Sequence, residues 1–423
     1  MYAIKGRSSQ LLLVSRFVRL FAYASSTLIL ADFLSVLGFS DTLIGTFMSL
    51  TLFGDVFISV LLTLFADVLG RRRMLSLGAI LMAFSGVVFA LSSNYTFLLL
   101  AAIVGVISPA GNEIGPFRAI EESTLAHLTD EDTRAEVFAV YVIVGAIASS
   151  LGNLVSGFVL NILQTKYTKL DSYRYVFWTY AAFALVKLVA SLCLAADCEV
   201  TREEDETSEV TPLVKPRSRY LPKISRESWK ILAVLGSLFA IDSLGSGLMP
   251  GSLMVYFFTK KFSLAASTLG TIFSVTILTG AFSNLFSTRL AKRIGLVKTM
   301  AFTHLPSAIF LLSIPFASSL WLSVTLLILR TVLASMDQAP KSAFISLLVS
   351  KNERTAIMGM INVIKTLSQS FGPVATGVLS SKNKFWLSFV LAGSLKATYD
   401  VLLLVVFDIK TRWMKKDSQN VDA

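Results

Sequence analysis

Residues 45–70, GTFMSLTLFGDVFISVLLTLFADVLG, and residues 270–295, GTIFSVTILTGAFSNLFSTRLAKRIG, are two versions of one segment set 225 positions apart. Gly45, Thr46, Ser49, Thr51 and Gly70 stand opposite Gly270, Thr271, Ser274, Thr276 and Gly295. A second correspondence, 220 positions apart, sets Arg134, Ser150, Gly152 and Gly157 against Arg354, Ser370, Gly372 and Gly377. Both copies lie in sequence too apolar for a water-soluble domain. A stretch of about twenty such residues crosses a bilayer.

The rest of the chain has the same character. Hydrophobic residues make up 54% and charged residues 15%, against roughly half and a quarter in ordinary globular chains, and the mean hydropathy is +0.70. Twelve spans follow: Val18 to Leu37, Thr42 to Ala66, Met74 to Ser92, Phe97 to Ile120, Ala135 to Leu163, Tyr175 to Ala195, Trp229 to Phe257, Ser267 to Leu290, Val297 to Phe316, Trp321 to Val349, Ala356 to Leu379 and Phe385 to Phe407. The hydrophilic stretch 197–228, acidic then basic, cannot bury a core and reads as a mobile cytosolic linker. The expected fold is an all-α membrane protein with twelve transmembrane helices in two pseudo-symmetric six-helix bundles. The first occupies residues 1–196 and the second 229–409, with a cytosolic tail at 410–423.

Charge sets the orientation. With the N-terminus in the cytosol, roughly 24 Lys and Arg fall on or near cytosolic segments and roughly 7 on external ones, as the positive-inside rule requires. Both termini are then cytosolic, and plasma and internal membranes are equally compatible. Trp178, Trp321 and Trp386 fall at the outer interface, Trp229 and Trp413 at the inner one. The net charge of +11 thus serves topology and calls for no nucleic-acid partner. Cys193 and Cys198 lie on the reducing side and are expected as free thiols.

A lone charge at the bilayer centre costs about 2.5–3.5 kcal/mol, so charges within spans need partners or water. Three pairs can neutralise themselves four residues apart on one helix: Arg118 with Glu122, Asp337 with Lys341, Lys396 with Asp400. Lys187 and Arg289 are expected to reach the cytosolic side. Asp32, Asp55, Glu113, Asp242, Arg330 and Lys365 remain, and these are the candidate coupling or cavity charges. Asp55 and Lys365 fall near mid-depth, and an ion pair between them, opened by a proton or a solute, is one expectation; a permanent structural pair is the other. Arg330 can bind an anionic group with its planar fork, or pair with Asp242 or Asp32. Tyr23, Asn112, Asn153, Tyr256, Asn362 and Gln369 are candidate walls of a substrate cavity.

Asp67-Val68-Leu69-Gly70-Arg71-Arg72-Arg73 resembles the loop between helices two and three of the major facilitator superfamily, with Thr63 where the family pattern has Gly. The second half keeps Leu290, Gly295 and Lys298, with Lys292 in the Asp position. The resemblance implies two bundles rocking about a central cavity lined by helices one, four, seven and ten. It also implies a cytosolic gate in which Asp67, Gly70, Arg71 and Arg73 engage neighbouring helix ends, with Glu121 or Glu122 completing it. Segment five has Gly152-Asn153 in place of the Gly-Pro of the family's antiporter motif, so antiport does not follow.

Together these readings imply a monomeric secondary transporter in the lipid bilayer, moving a small organic solute by alternating access with the proton as coupling ion. No other cofactor and no metal is expected. The chain's two histidines, His127 and His304, do not make a histidine metal cluster, and no paired catalytic carboxylates suggest an enzyme. The alternative is a non-transporting receptor or assembly factor on the same scaffold.

Overall fold

The computed structural model describes residues 6–105, 107, 116–195, 198–199, 225–348 and 353–421; at 59–69, 116–117, 119, 131–132, 135, 227, 346–347, 354–356 and 408–421 it describes the backbone alone. The described residues are helical almost throughout. In chain order they form α1 (Arg7–Val36), α2 (Asp41–Leu69), α3 (Arg71–Leu91), α4 (Tyr95–Val104), α5 (Pro116–His127), α6 (Glu131–Leu163), α7 (Lys169–Leu192), α8 (Arg226–Leu248), α9 (Gly251–Phe262), α10 (Ala266–Ile294), α11 (Leu296–Ser313), α12 (Leu320–Ser335), α13 (Gln338–Leu348), α14 (Arg354–Ser370), α15 (Gly372–Ser381) and α16 (Phe385–Val421). Among the described residues ten helical stretches are long and apolar enough to cross a membrane. The fourth and eleventh expected segments are not among the ten. Of the fourth, the short apolar α4 is described; the eleventh is divided at Phe371, where Pro373 opens α15.

Several expected spans are broken, each for a local reason. Pro250 has no N–H to donate back into α8, so α8 stops at Leu248 and α9 restarts at Gly251. Asn94 caps α4 by accepting from the Thr96 and Phe97 N–H groups. α16 continues through most of the residues assigned to a tail. The expected linker is ordered at both described ends. Cys198 is buried, Glu199 accepts from the Arg71 and Arg72 N–H groups at 2.8 and 3.1 Å, and Ser225 N–H donates to Glu353 at 2.9 Å.

Packing divides the helices into two groups. In the first, α1 packs on α6 and α7, α3 on α7, and α2 on α4; in the second, α8 packs on α14 and α16, α11 on α16, and α12 on α10 and α11. Contact between groups runs through α6 with α10, α2 with α14 and α15, and α1 with α9. One apolar core, including Leu30, Phe47, Phe177, Phe258 and Phe389, is shared by both groups at the face away from the N-terminus, here the far face. At the near face, which bears the start of α1, each group has its own: Leu12, Met74, Leu125 and Tyr141 in one, Leu235, Phe239, Ile361 and Leu403 in the other.

The duplication seen in the sequence is realised as two equivalent seams. A Cβ on Gly45 would meet Pro373 O at 2.3 Å and Gly377 Cα at 2.8 Å, while one on Gly270 would meet Asn153 O at 2.4 Å and Gly157 Cα at 3.0 Å. Ser49 and Ser274, which correspond in the repeat, each bond across their own seam. Ser49 Oγ accepts from Val374 N–H at 2.9 Å, and Ser274 Oγ lies 2.6 Å from Ser150 Oγ.

Equivalent single-residue turns join α2 to α3 and α10 to α11. Gly70 has φ 84° and Gly295 φ 87°, a conformation reserved for residues without a Cβ. Nothing lies within 4 Å of a Cβ built on Gly295, so a side chain there would suffer from backbone conformation alone. Gly295→Ala is expected to destabilise the fold by about 1–3 kcal/mol, read as a lowered thermal midpoint of the purified protein in detergent. An unchanged midpoint would refute this account of the turn.

Candidate functional site

Three polar centres lie within the helices. The first is at the far face, where α2 begins at Asp41. Its carboxylate accepts from Lys260 Nζ at 2.7 Å, from the Tyr256 hydroxyl at 2.8 Å and from Ser380 Oγ at 2.6 Å. Tyr256 also donates to Ser35 Oγ of α1 at 3.1 Å, and Lys260 stands 4.6 Å from the centre of the Tyr256 ring. Asp41 and Ser35 belong to the first helical group; Tyr256, Lys260 and Ser380 belong to the second. Tyr256, expected in a cavity wall, is thus part of a lock between the groups. Asp41 sits in the first turn of its helix, where an acid reads as dipole compensation, so its cross-group role has no separate signature in sequence.

The second centre lies in the first group around Glu121 of α5, whose side chain is fully buried. Arg19 Nη2 of α1 meets it at 2.6 Å, Tyr141 OH of α6 donates to it at 2.9 Å, and Lys187 Nζ of α7 lies 3.9 Å away. Glu121 was expected to complete the cytosolic gate; its described contacts lie inside its own group. Lys187 does not reach the membrane surface as expected, being 1% exposed. Arg16 donates to the Tyr141 carbonyl at 2.7 Å and stacks on its ring at 3.6 Å.

The third centre, in the second group, is the largest. Asp242 of α8 accepts from Lys341 of α13 at 2.9 Å and from Lys396 of α16 at 2.8 Å. Lys341 also pairs with Asp337 at 3.0 Å, as expected from their spacing. Lys396 and Asp400 do not neutralise each other: Lys396 turns to Asp242 and to Ser246 Oγ at 2.7 Å, while Asp400 meets His304 of α11, whose Nδ1 lies 2.9 Å from Oδ2 and 3.0 Å from Oδ1. The other ring nitrogen, Nε2, lies 3.6 Å from Asp242 Oδ1. The six titratable residues of this centre are each at most 8% exposed, and Lys365 lies half-buried at its edge. A lone histidine and two apparently self-sufficient helical pairs gave no sign of a shared network. Only the three-dimensional approach of α8, α11, α13 and α16 makes it one.

The remaining candidates are dispersed. Lys365 does not meet Asp55. Its ammonium stands 6.0 Å from the centre of the Phe239 ring, and its electrostatic neighbours are Lys341, Asp242, Asp337 and Lys396. Asp55 is 2% exposed and converges with Arg19 and Tyr23 on Tyr180, in the first group. Asp32 is held near the far face by Lys169 Nζ at 2.6 Å and by the Tyr173 hydroxyl, beside a cavity of about 140 Å³ that Gln164 and Thr259 also line. Neither Asp32 nor Asp242 pairs with Arg330, which is half-buried; its carbonyl accepts from Ser307 at 2.9 Å. Asn153 and Gln369 are buried, the carbonyl of the first at the α6–α10 seam and that of the second against Gly247. Asn362 is exposed.

Of the expected gate, Arg71 reaches the Cys198 carbonyl at 3.5 Å, Arg73 is exposed, and Glu122 pairs with Arg118 at 2.7 Å as its spacing predicts. Glu113 and Asn112 lie outside the described residues, as does the side chain of Asp67. Cys193 and Cys198 are free thiols. Among the described residues no group of three or more His, Cys, Asp and Glu side chains is arranged to hold a metal ion.

Comparison with known proteins places this arrangement. The Major Facilitator Superfamily sequence model matches residues 12–251 and 235–422. An uncharacterized membrane protein of Saccharomyces cerevisiae, YJR124C, is 38% identical over 423 residues, covering 95% of this chain and 94% of that protein. Among solved structures, the nucleoside transporter NupG superposes with a TM-score of 0.72 at 14% identity, over 95% of this chain and 99% of its own. A D-xylose-proton symporter gives 0.71 at 14% identity, over 93% and 96%, and the human organic anion transporter MFSD10 gives 0.60 at 18%, over 94% and 99%. At these identities the structures testify to fold. With its duplicated helices, buried intramembrane charges and full-length family match, the chain belongs to the major facilitator superfamily of membrane transporters, which are not enzymes.

Proposed function

We propose that this protein is a proton-coupled secondary transporter that moves a small organic solute by alternating access. The chain crosses the membrane twelve times in two six-helix bundles, with both termini in the cytosol. The observation that carries the reading is the asymmetry of contact between the two groups. At the far face they share an apolar core and the Asp41 lock; at the near face each closes on a core of its own. With the near face cytosolic, as the basic residues favour, this is a form closed to the outside. The lock consists of side-chain bonds that either group releases without disturbing its own core, which is what a two-state element requires.

The interior carries both signs of charge, which favours an amphipathic, zwitterionic or weakly charged solute over a bare metal ion. The solved relatives are named for nucleosides, D-xylose with a proton, and organic anions, a range consistent with small organic solutes. A receptor or assembly factor would keep the fold, but has no need of a polar lock between the groups. The decisive test is a screen of nucleosides, sugars, amino acids and organic acids on purified protein in liposomes, with and without an imposed pH gradient. Solute accumulation that follows the gradient supports the proposal, and its absence across the panel overturns it.

Two variants check the parts separately. Asp41→Asn keeps the shape of the lock and removes its charge, at a cost to the outward-closed form of about 1–2 kcal/mol, a 5- to 30-fold shift in population. Spin labels at Asn94 and Ser318, in protein lacking Cys193 and Cys198, should then report a longer far-face distance; an unchanged distribution would refute the lock. Asp242→Ala leaves two buried ammonium groups without their shared anion and should destabilise by about 3–5 kcal/mol. Glu122→Ala, on a partly exposed pair, should cost under about 1 kcal/mol. Equal thermal midpoints for the two variants would show that the network is not a structural unit.

A further inference from the structure

Asp400 is 0% exposed, and the described side chain that meets its carboxylate is His304. A wholly buried carboxylate needs a cation or several donors. Lys396, one turn away on the same helix, is turned to Asp242 instead. The geometry around His304 is symmetrical in kind: Nδ1 faces Asp400 at 2.9 Å, and Nε2 faces Asp242 Oδ1 at 3.6 Å. A neutral imidazole has one N–H and one lone pair. With its proton toward Asp400, it would turn the lone pair on a second carboxylate; the imidazolium donates toward both.

The charged groups around the imidazole come from four helices. From α8 comes Asp242, from α13 Asp337 and Lys341, from α14 Lys365, and from α16 Lys396, Tyr399 and Asp400. Three carboxylates thus face three ammonium groups, and His304 is set between two of the carboxylates. α12 brings the Arg330 backbone, which accepts from Ser307 one turn beyond His304, while the titratable residues of α10, Arg289, Lys292 and Arg293, lie toward its near-face end. The Tyr399 ring stands edge-on to the imidazole at 5.8 Å, and its buried hydroxyl has no hydrogen-bond partner among the described residues.

Position ties this group to the lock. His304 and Asp400 sit on α11 and α16, which pack along each other. Asp242 sits on α8, which passes through the Pro250 break into α9, the bearer of Tyr256 and Lys260. We propose that His304, between Asp400 and Asp242, is the binding site of the coupling proton, and that the bound proton holds α8 against α11 and α16 while the far face is closed. This rests on the transporter reading and names the proton's place within it. Loss of the proton leaves Nε2 with no hydrogen to offer Asp242 and loosens the hold of α11 on α8, which leads into the helix that carries half of the lock, while the Lys396 and Lys341 bonds to Asp242 remain.

The proton itself is the probe. Full-length His127→Gln protein, labelled with ¹⁵N-histidine in lipid nanodiscs, contains His304 alone as a histidine signal. Both ring nitrogens should carry protons at pH 6, and Asp400→Asn should leave a single ring proton at the same pH. A neutral imidazole throughout pH 5–9, or identical protonation in the two proteins, would overturn the proposal. The Asn94 to Ser318 distance provides the second measurement. Raising the pH from 6 to 9 should lower the far-face-closed population at least fivefold in the parent and leave it unchanged in His304→Gln, provided the variant elutes as a single species like its parent. A pH response that survives in His304→Gln overturns the site. Gradient-driven solute uptake with a neutral His304 overturns the site but leaves the transporter reading intact; a charged His304 in a protein that moves none of the solute panel removes the transport reading and the coupling role together.

Discussion

The structure depends on one constraint: charge taken into lipid must be satisfied by the protein itself. Hydrocarbon offers neither hydrogen bonds nor screening, so every carboxylate within the helices has to find its cation or donor nearby. The first group answers with Glu121 among Arg19, Lys187 and Tyr141. The second answers with Asp242 between two lysines, and with Asp400 against His304. Because these partners come from different helices, neutralising charge also fixes which helices are neighbours. Polar pairing thereby sets the interior arrangement of each group, while apolar packing holds the helices together around it.

The two groups descend from one plan but have diverged where it matters for chemistry. Their seams remain alike, glycine on glycine with a serine one turn further on, and their inter-helix turns are both single left-handed glycines. Their polar centres are not alike. The first is built on a glutamate held by an arginine, a tyrosine and a lysine. The second places a histidine between two carboxylates. In the transport cycle proposed above, a symmetric scaffold would carry its proton site on one side only.

Much of the fold was legible in the sequence because the relevant signals are local and repeated. Apolar length gave ten of the twelve expected spans, the 225-residue correspondence reappears in the two seams, and the Arg118–Glu122 and Asp337–Lys341 pairs form as their spacing predicts. The site was less legible because its contacts join residues far apart in the chain. Lys396 and Asp400 have ideal spacing for a pair, yet each has a better partner on another helix: Asp242 offers Lys396 a carboxylate and Ser246 a hydroxyl, and His304 offers Asp400 a ring nitrogen. Helical spacing states what can meet, and competition with other helices decides what does. Asp55 and Lys365 are not paired in this form, where Lys365 is drawn to the charges of the second group and Asp55 lies among residues of the first.

The seams carry one more implication. Where Gly45 meets Gly377 and Gly157 meets Gly270, backbone touches backbone with no side chain interposed. Such a contact has no rotamers to rearrange and no knob to lift from a hole, so one helix can roll over the other with little change in packing. If the groups tilt as proposed, these two crossings would serve as bearings, and that freedom would be owed to the atoms the chain lacks there.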